Sequence, residues 1–395
     1  MNRLLVTVSL IAFGCTIFSR TVDPIVPQIA ASFGILPTTA ALLVSAYALP
    51  YAVVQPVLGA LADVFGKARL MVVCLAIAVV ATFASAVALT FAQLIAARVL
   101  AGAVSGGVFP AAVAIVGDRF AMAQRQVAIG RVVAAGMLGN LLGASVAGVV
   151  GDLWSWRGAF IITGIIAAVT LLPARQLLRE TRDEPTAPPK LSTMLANYRA
   201  VVVNPLAKIC FGAVFFDSFF VFGLFPYTAT ILEAQGETSA TIAGVIIAAF
   251  GGGAIVYSAV VRRLLVLMGD RWLMAGGGFV TAVCLAVIPL HPPWPVQAVN
   301  FLIMGVAFFM LHGSIQVYVT ELAPVARASA MALHSSSFFL GMAIGPLFYA
   351  VGFEQLGLAW TFVIAAVGFA AIGVWSAATL RDSRTARPPS PPAAS

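Results

Sequence analysis

The stretch Leu70-Met-Val-Val-Cys-Leu-Ala-Ile-Ala-Val-Val-Ala-Thr-Phe-Ala-Ser-Ala-Val-Ala-Leu89 runs for twenty residues without a charge. Coiled as a helix at 1.5 Å per residue it is about 30 Å long, the thickness of a bilayer's hydrocarbon core. A helix is also the form that satisfies its backbone where no water reaches. Similar stretches lie near 4 to 30, 40 to 60, 92 to 117, 132 to 150, 158 to 174, 206 to 231, 242 to 261, 272 to 290, 296 to 319, 330 to 352 and 358 to 379. The expected fold is therefore all-α and integral to the membrane, with 12 transmembrane helices. A composition of 61% hydrophobic and 9% charged residues leaves no room for a separate water-soluble domain.

The net charge of +8 would suggest nucleic acid in a soluble protein, but its distribution says otherwise. If the N-terminus is cytoplasmic, Arg157 is the one cation facing outward and Arg20 and Arg98 lie within spans. Every other Lys and Arg of the 22 then falls at a cytoplasmic end. This positive-inside bias predicts a multi-pass protein of a bacterial-type inner (plasma) membrane with both termini cytoplasmic. The basic loops read as topology signals touching anionic membrane lipid, with no nucleic-acid partner. The apolar run after Arg3 could pass for a signal peptide, but eleven further spans make it the first transmembrane helix. Cys15, Cys74, Cys210 and Cys284 sit singly in apolar stretches, as buried small hydrophobes rather than a metal or redox site.

Sliding residues 1 to 180 along the chain by 202 or 203 positions aligns unlike features: Pro24 with Pro226, Gly102 with Gly305, Asp118 with Glu321, Arg125 with Arg327, Gly139 with Gly341, Gly143 with Gly345, and Asp152 with Glu354. Charges and turn residues coincide by chance far less often than apolar ones. The economical organisation is two six-helix pseudo-repeats in the same orientation. The predicted divisions are an N-terminal half at 1–178, a cytoplasmic linker at 179–203 containing RQLLRETRDEPTAPPK, a C-terminal half at 204–380, and a disordered tail at 381–395.

Three motifs carry a family resemblance. The loop between helices 2 and 3 reads Gly59-Ala-Leu61-Ala-Asp63-Val-Phe-Gly66-Lys67-Ala-Arg69, helix 4 holds Arg98-Val-Leu-Ala-Gly102, and helix 5 holds Gly139-Asn140-Leu-Leu-Gly143-Ala144. Over nearly its whole length the chain resembles the major facilitator superfamily, and is most similar to its drug:proton antiporter branch. The first motif resembles the signature G-x-L-x-D-x-x-G-[RK]-x-[RK]. The resemblance implies that Asp63, with Lys67, Arg69, Arg125 or the start of helix 11 as partner, latches the cytoplasmic side closed while the cavity opens outward. The second resembles R-x-x-x-G, and implies proton coupling at Arg98; an arginine so near the outer end of its span has snorkelling as the alternative. The third departs from G-x-x-x-G-P-x-x-G-G, because Ala144 stands where the antiporters carry proline. Gly341-Met-Ala-Ile-Gly345-Pro346 keeps that pattern in the other half, with a proline-induced bend moved to helix 11.

Ionisable or polar residues within spans are functional candidates by default. Arg20 and Asp23 are three apart on one helix face, as a structural ion pair or a substrate site, ahead of the helix-breaking Pro24 and Pro27. Asp217, in Phe215-Phe-Asp-Ser-Phe-Phe220, has no cation nearby in sequence and is the leading carboxylate for proton exchange, the alternative being a neutral acid bonded across helices. His312 and Gln316 share a face of helix 10, while His334 opens helix 11 and ranks lower. Tyr47, Tyr51 and Gln55 share a face of helix 2. With 27 Phe available, a cavity walled by aromatics suits an amphipathic solute.

Enzyme chemistry finds no support, since the chain has no nucleophile elbow, no H-E-x-x-H and no phosphate loop. Neither metal nor cofactor is expected. The sequence predicts a monomeric secondary transporter that moves a small organic substrate by alternating access, powered by a proton gradient. Export against protons is the first reading and proton-coupled import of a small metabolite the alternative.

Overall fold

The computed structural model describes residues 2–120, 122–180, 191–323 and 326–380. Among these, ten helices are long and apolar enough to cross a membrane. They become twelve spans because Trp156–Val169 is a further, shorter apolar helix and the 51-residue Ala240–Leu290 is two spans end to end. In chain order these are α1 (Arg3–Phe33), α2 (Pro37–Phe65), α3 (Lys67–Ala86), α4 (Phe91–Val116), α5 (Met122–Leu153), α6 (Trp156–Val169) and α7 (Pro205–Glu233). The series continues with α8 (240–268), α9 (270–287), α10 (Trp294–Glu321), α11 (Arg327–Gln355) and α12 (Gly357–Thr379). All twelve coincide with the apolar stretches read from the sequence. The expected tail, and residues 181–190 of the expected linker, lie outside the described residues. Val80, Phe279 and Val367 stand well exposed on helix surfaces, an arrangement suited to lipid rather than water.

The face at which α1 begins and α12 ends carries the Lys- and Arg-rich turns and is called the basic face below. There Gly66 ends α2 at φ 87° and Gly269 separates α8 from α9 at φ 71°. Both conformations favour a residue without a Cβ, and the two glycines are 203 positions apart.

The same offset recurs in packing. A Cβ on Gly102 would strike the Tyr47 carbonyl, and one on Gly305 would strike the Phe250 carbonyl. Gly139 and Gly143 press α5 onto the Phe13 and Ile17 carbonyls of α1, while Gly341 and Gly345 press α11 onto the Phe215 and Phe219 carbonyls of α7. Close backbone approach at small residues is how membrane helices associate where burial from water supplies no drive. Even the irregular segments repeat, since α1 changes to a 3₁₀ turn at Asp23–Ile25 and α7 does so at Phe225–Tyr227.

The first six spans meet the last six mainly through α2 against α11 and α5 against α8. At the face opposite the basic one, a single apolar core joins Val22, Ile25 and Val44 to Ile247 and Phe225. Toward the basic face, α1–α6 keep a core of their own around Leu5, Val8, Met71 and Val116. The halves are thus sealed together at the far face.

Candidate functional site

Pro24 and Pro27 remove backbone donors from α1, which turns into 3₁₀ geometry toward the far face. Just before that break Arg20 Nη1 lies 3.3 Å from Asp23 Oδ2, with both side chains buried. The expected pair forms, and it also reaches across to the second half. The Arg20 guanidinium lies over the rings of Phe222 and Phe225, at 4.4 and 5.1 Å, and its Nη2 is 3.6 Å from Met342 Sδ of α11. A desolvated cation over aromatic faces is stabilised by about 2 kcal/mol. Arg20 is therefore a tie between the halves as well as a partner of Asp23.

Arg98 is only 1% exposed and does not snorkel. It donates from Nη1 to the Phe18 carbonyl at 3.0 Å and lies 4.5 Å over the Tyr47 ring. Its Nε and Nη2, and Asp23 Oδ1, are buried without a hydrogen-bond partner. Asn140 accepts a hydrogen bond from Ser19, joining α5 to α1. Tyr51 stacks on Phe339 of α11 with centroids 3.6 Å apart, a second aromatic contact between the halves.

The partner that sequence proximity did not supply to Asp217 comes from α10. His312 Nδ1 lies 2.9 Å from Asp217 Oδ2, and both residues are buried. His334 of α11 completes the cluster, its ring meeting that of His312 edge-on with centroids 5.1 Å apart. The rings of Phe308 and Phe338 pack on His312 at 5.2 and 5.4 Å. Phe338 also packs on Phe222 at 4.9 Å, so phenylalanines separate the Arg20–Asp23 pair from the Asp217–His312 pair. Gln316, which shares a face with His312, lies one turn nearer the basic face and is exposed. His334 ranked low in the sequence because nothing local marks its partner.

The ends of the bundle hold further contacts between the halves. At the far face Asp152 of α5 accepts hydrogen bonds from Ser239 Oγ (2.7 Å), Ala240 N (2.9 Å) and Thr241 N (2.8 Å), capping α8 across the interface between halves. A carboxylate there also meets the positive end of the α8 dipole. Gly148 and Gly244 allow the approach, since a Cβ on either would strike the backbone of Ala240 or Ala144. Sequence reading paired Asp152 with Glu354 but gave it no role; an acid ending one span ahead of the Ser239 cap was the available signal.

At the basic face, Arg69 is exposed and Gly66 makes the turn, but the side chains of Asp63 and Arg125, and the surroundings of Gly59, lie outside the described residues. The helix Leu191–Val202 bridges this face: Tyr198 donates to the Pro56 carbonyl at 3.3 Å and Asn204, just beyond it, donates to the Leu322 carbonyl at 2.8 Å. Half-burial pushes the Tyr198 phenol above its ordinary value, so it remains a neutral donor. α11 runs as one helix through Pro346, whose carbonyl accepts from the Tyr227 hydroxyl at 2.7 Å.

Twelve apolar helices that repeat their contacts at a fixed offset, with ionisable pairs buried inside the bundle and one face sealed, define a multi-span membrane transporter. The chain belongs to the Major Facilitator Superfamily, whose family model matches residues 8–324 and again 210–395. It is 28% identical over 391 residues to the MFS-type transporter YtbD of Bacillus subtilis, covering 94% of each chain. It is 26% identical over 350 residues to a probable sugar efflux transporter of Helicobacter pylori, covering 87% of each. The crystal structure of a D-xylose–proton symporter superposes with a TM-score of 0.71 over 96% of both chains at 17% identity, a likeness of fold.

Proposed function

We propose that this protein exports a small, partly apolar organic solute across a bacterial-type cytoplasmic membrane in exchange for protons, its two six-helix halves rocking about the central site. In this reading the basic face and both termini are cytoplasmic, and the chain works as a monomer. The observation that carries it is the Asp217–His312 pair, two titratable groups 2.9 Å apart, buried in mid-membrane among phenylalanines. A carboxyl that exchanges its proton when water reaches it and holds it when occluded couples protons to the movement of the halves. The aromatic wall supplies contact area for an apolar solute. Similarity to a probable sugar efflux transporter supports the outward direction.

Import by symport is the second reading, favoured by Ala144, which replaces the proline of the antiporter motif. Accumulation assays separate the two, because an exporter lowers cellular content of its substrate and an importer raises it. The solute is found by thermal-shift screening of purified protein against sugars, nucleosides, amino acids and drugs, since a ligand of the folded state stabilises it. In proteoliposomes with an imposed pH gradient, Asp217→Asn is expected to lose gradient-driven transport of that solute while retaining exchange. Gradient-driven transport at the wild-type rate would remove Asp217 as the proton carrier.

A further inference from the structure

His334 is the third titratable group of the buried cluster. It is 3% exposed and its Nε2 has no hydrogen-bond partner. Leaving a buried polar atom unpaired is destabilising, a cost that a phenylalanine in the same place would avoid. Its ring meets that of His312 edge-on at 5.1 Å between centroids, while His312 Nδ1 faces Asp217.

Depth orders the three groups. At 1.5 Å per residue, Asp217 stands about 18 Å along α7 from Pro205, His312 about 14 Å from the Glu321 end of α10, and His334 about 10 Å from the Arg327 end of α11. The cluster descends step by step toward the basic face. The titratable side chains around it are Asp217 from α7, His312 from α10, Tyr257 from α8, whose ring lies against Gly313, and, beyond Phe338 and Phe339, Tyr51 from α2. α12 contributes none, and Lys208, Glu321 and Arg327 lie near the basic ends of their helices.

We propose that His334 is the relay through which the Asp217–His312 pair exchanges protons with the cytoplasm; this rests on reading that pair as the coupling element. In each passage the Asp217 O–H bond breaks as an N–H bond forms at His312 Nδ1. The proton on His312 Nε2 passes to a nitrogen of His334, directly or through one water, and leaves His334 for the cytoplasmic side. One proton enters and one leaves, with no change of oxidation state. His312 ends in its other tautomer and resets by ring rotation or by a returning proton.

The chain has 3 histidines, and His291 is exposed at the opposite face, so nitrogen-15 histidine NMR of the full-length protein in nanodiscs resolves the question without a known substrate. His291 serves as an independent titration and as a reporter that each variant is folded. The relay predicts that His334→Gln moves the titration midpoint of His312, and His312→Gln that of His334, by about one pH unit, the coupling at which two sites titrate as a pair. His334→Phe, which keeps the packing, should move His312 as far as His334→Gln does. A His334 midpoint unchanged by His312→Gln, or a His334 that never titrates while the protein stays folded, overturns the relay. If Asp217→Asn leaves His312 unmoved, the coupling pair itself is wrong, a failure distinct from that of the relay alone.

Discussion

Replacing Asp152 with Asn tests the closure of the far face. The wild-type carboxylate accepts three hydrogen bonds from the first turn of α8 and faces that helix's positive end. Asparagine keeps one acceptor oxygen but loses the charge. The lost interaction with the helix terminus is worth about 0.3–1 kcal/mol. Charge-assisted bonds that become neutral lose roughly 1 kcal/mol more in an exposed setting. Together these amount to about 1–2 kcal/mol against the closed state, which is roughly a five- to thirtyfold rise in the fraction open. The assay is maleimide labelling of Gln28→Cys, which lines the small pocket between α1, α7 and α8 at that face. The four native cysteines are buried and keep the background low. In the regime where labelling waits on opening, its rate follows the open population. Asp152→Asn should label about tenfold faster than the parent, and high salt should speed the parent more than the variant. Rates within twofold of the parent for both Asp152→Asn and Asp152→Ala would refute the assignment of Asp152 to closure.

Gly102→Ala drives a methyl into the Tyr47 carbonyl and should lower stability by about 1–3 kcal/mol, read as a lower melting temperature in detergent, whereas Gly252→Ala, which meets nothing within 4 Å, should leave it unchanged. Arg20→Met strands the buried Asp23, and Asp23→Asn strands Arg20; each should cost about 3–5 kcal/mol, and the double variant should recover part of that loss in the same melting assay. Tyr51→Leu removes the stack on Phe339 and should weaken the contact between halves by about 0.5–1.5 kcal/mol, seen as faster cysteine labelling along α2 and α11.

Much of this fold was legible in the residues because membrane insertion is a local rule. Each span had to be long and apolar enough by itself, and the turn glycines and packing glycines had to recur where the two halves make the same contacts. Gly102 and Gly305, or Gly139 and Gly341, could be matched by offset alone, and the structure places each against the equivalent carbonyl of its own half. The site was less legible. Asp217 and His312 were each singled out as ionisable residues in spans, yet nothing in a hydropathy pattern joins residues 95 positions apart. That His312 and Gln316 share a face was visible because spacing along one helix is, whereas rotation against the next helix is not.

By itself the sequence determined the solvent, the number and order of the spans, the repeated offset and the set of polar residues confined to lipid depth. Only the tertiary structure decided which of those residues meet: Arg20 with the Phe222 and Phe225 rings, Asp217 with His312 and His334, Asp152 with the start of α8. Hydrophobicity tells a helix to enter the bilayer and leaves its rotation free. Close packing at glycines and the cost of an unpaired polar atom in a medium without water set that rotation.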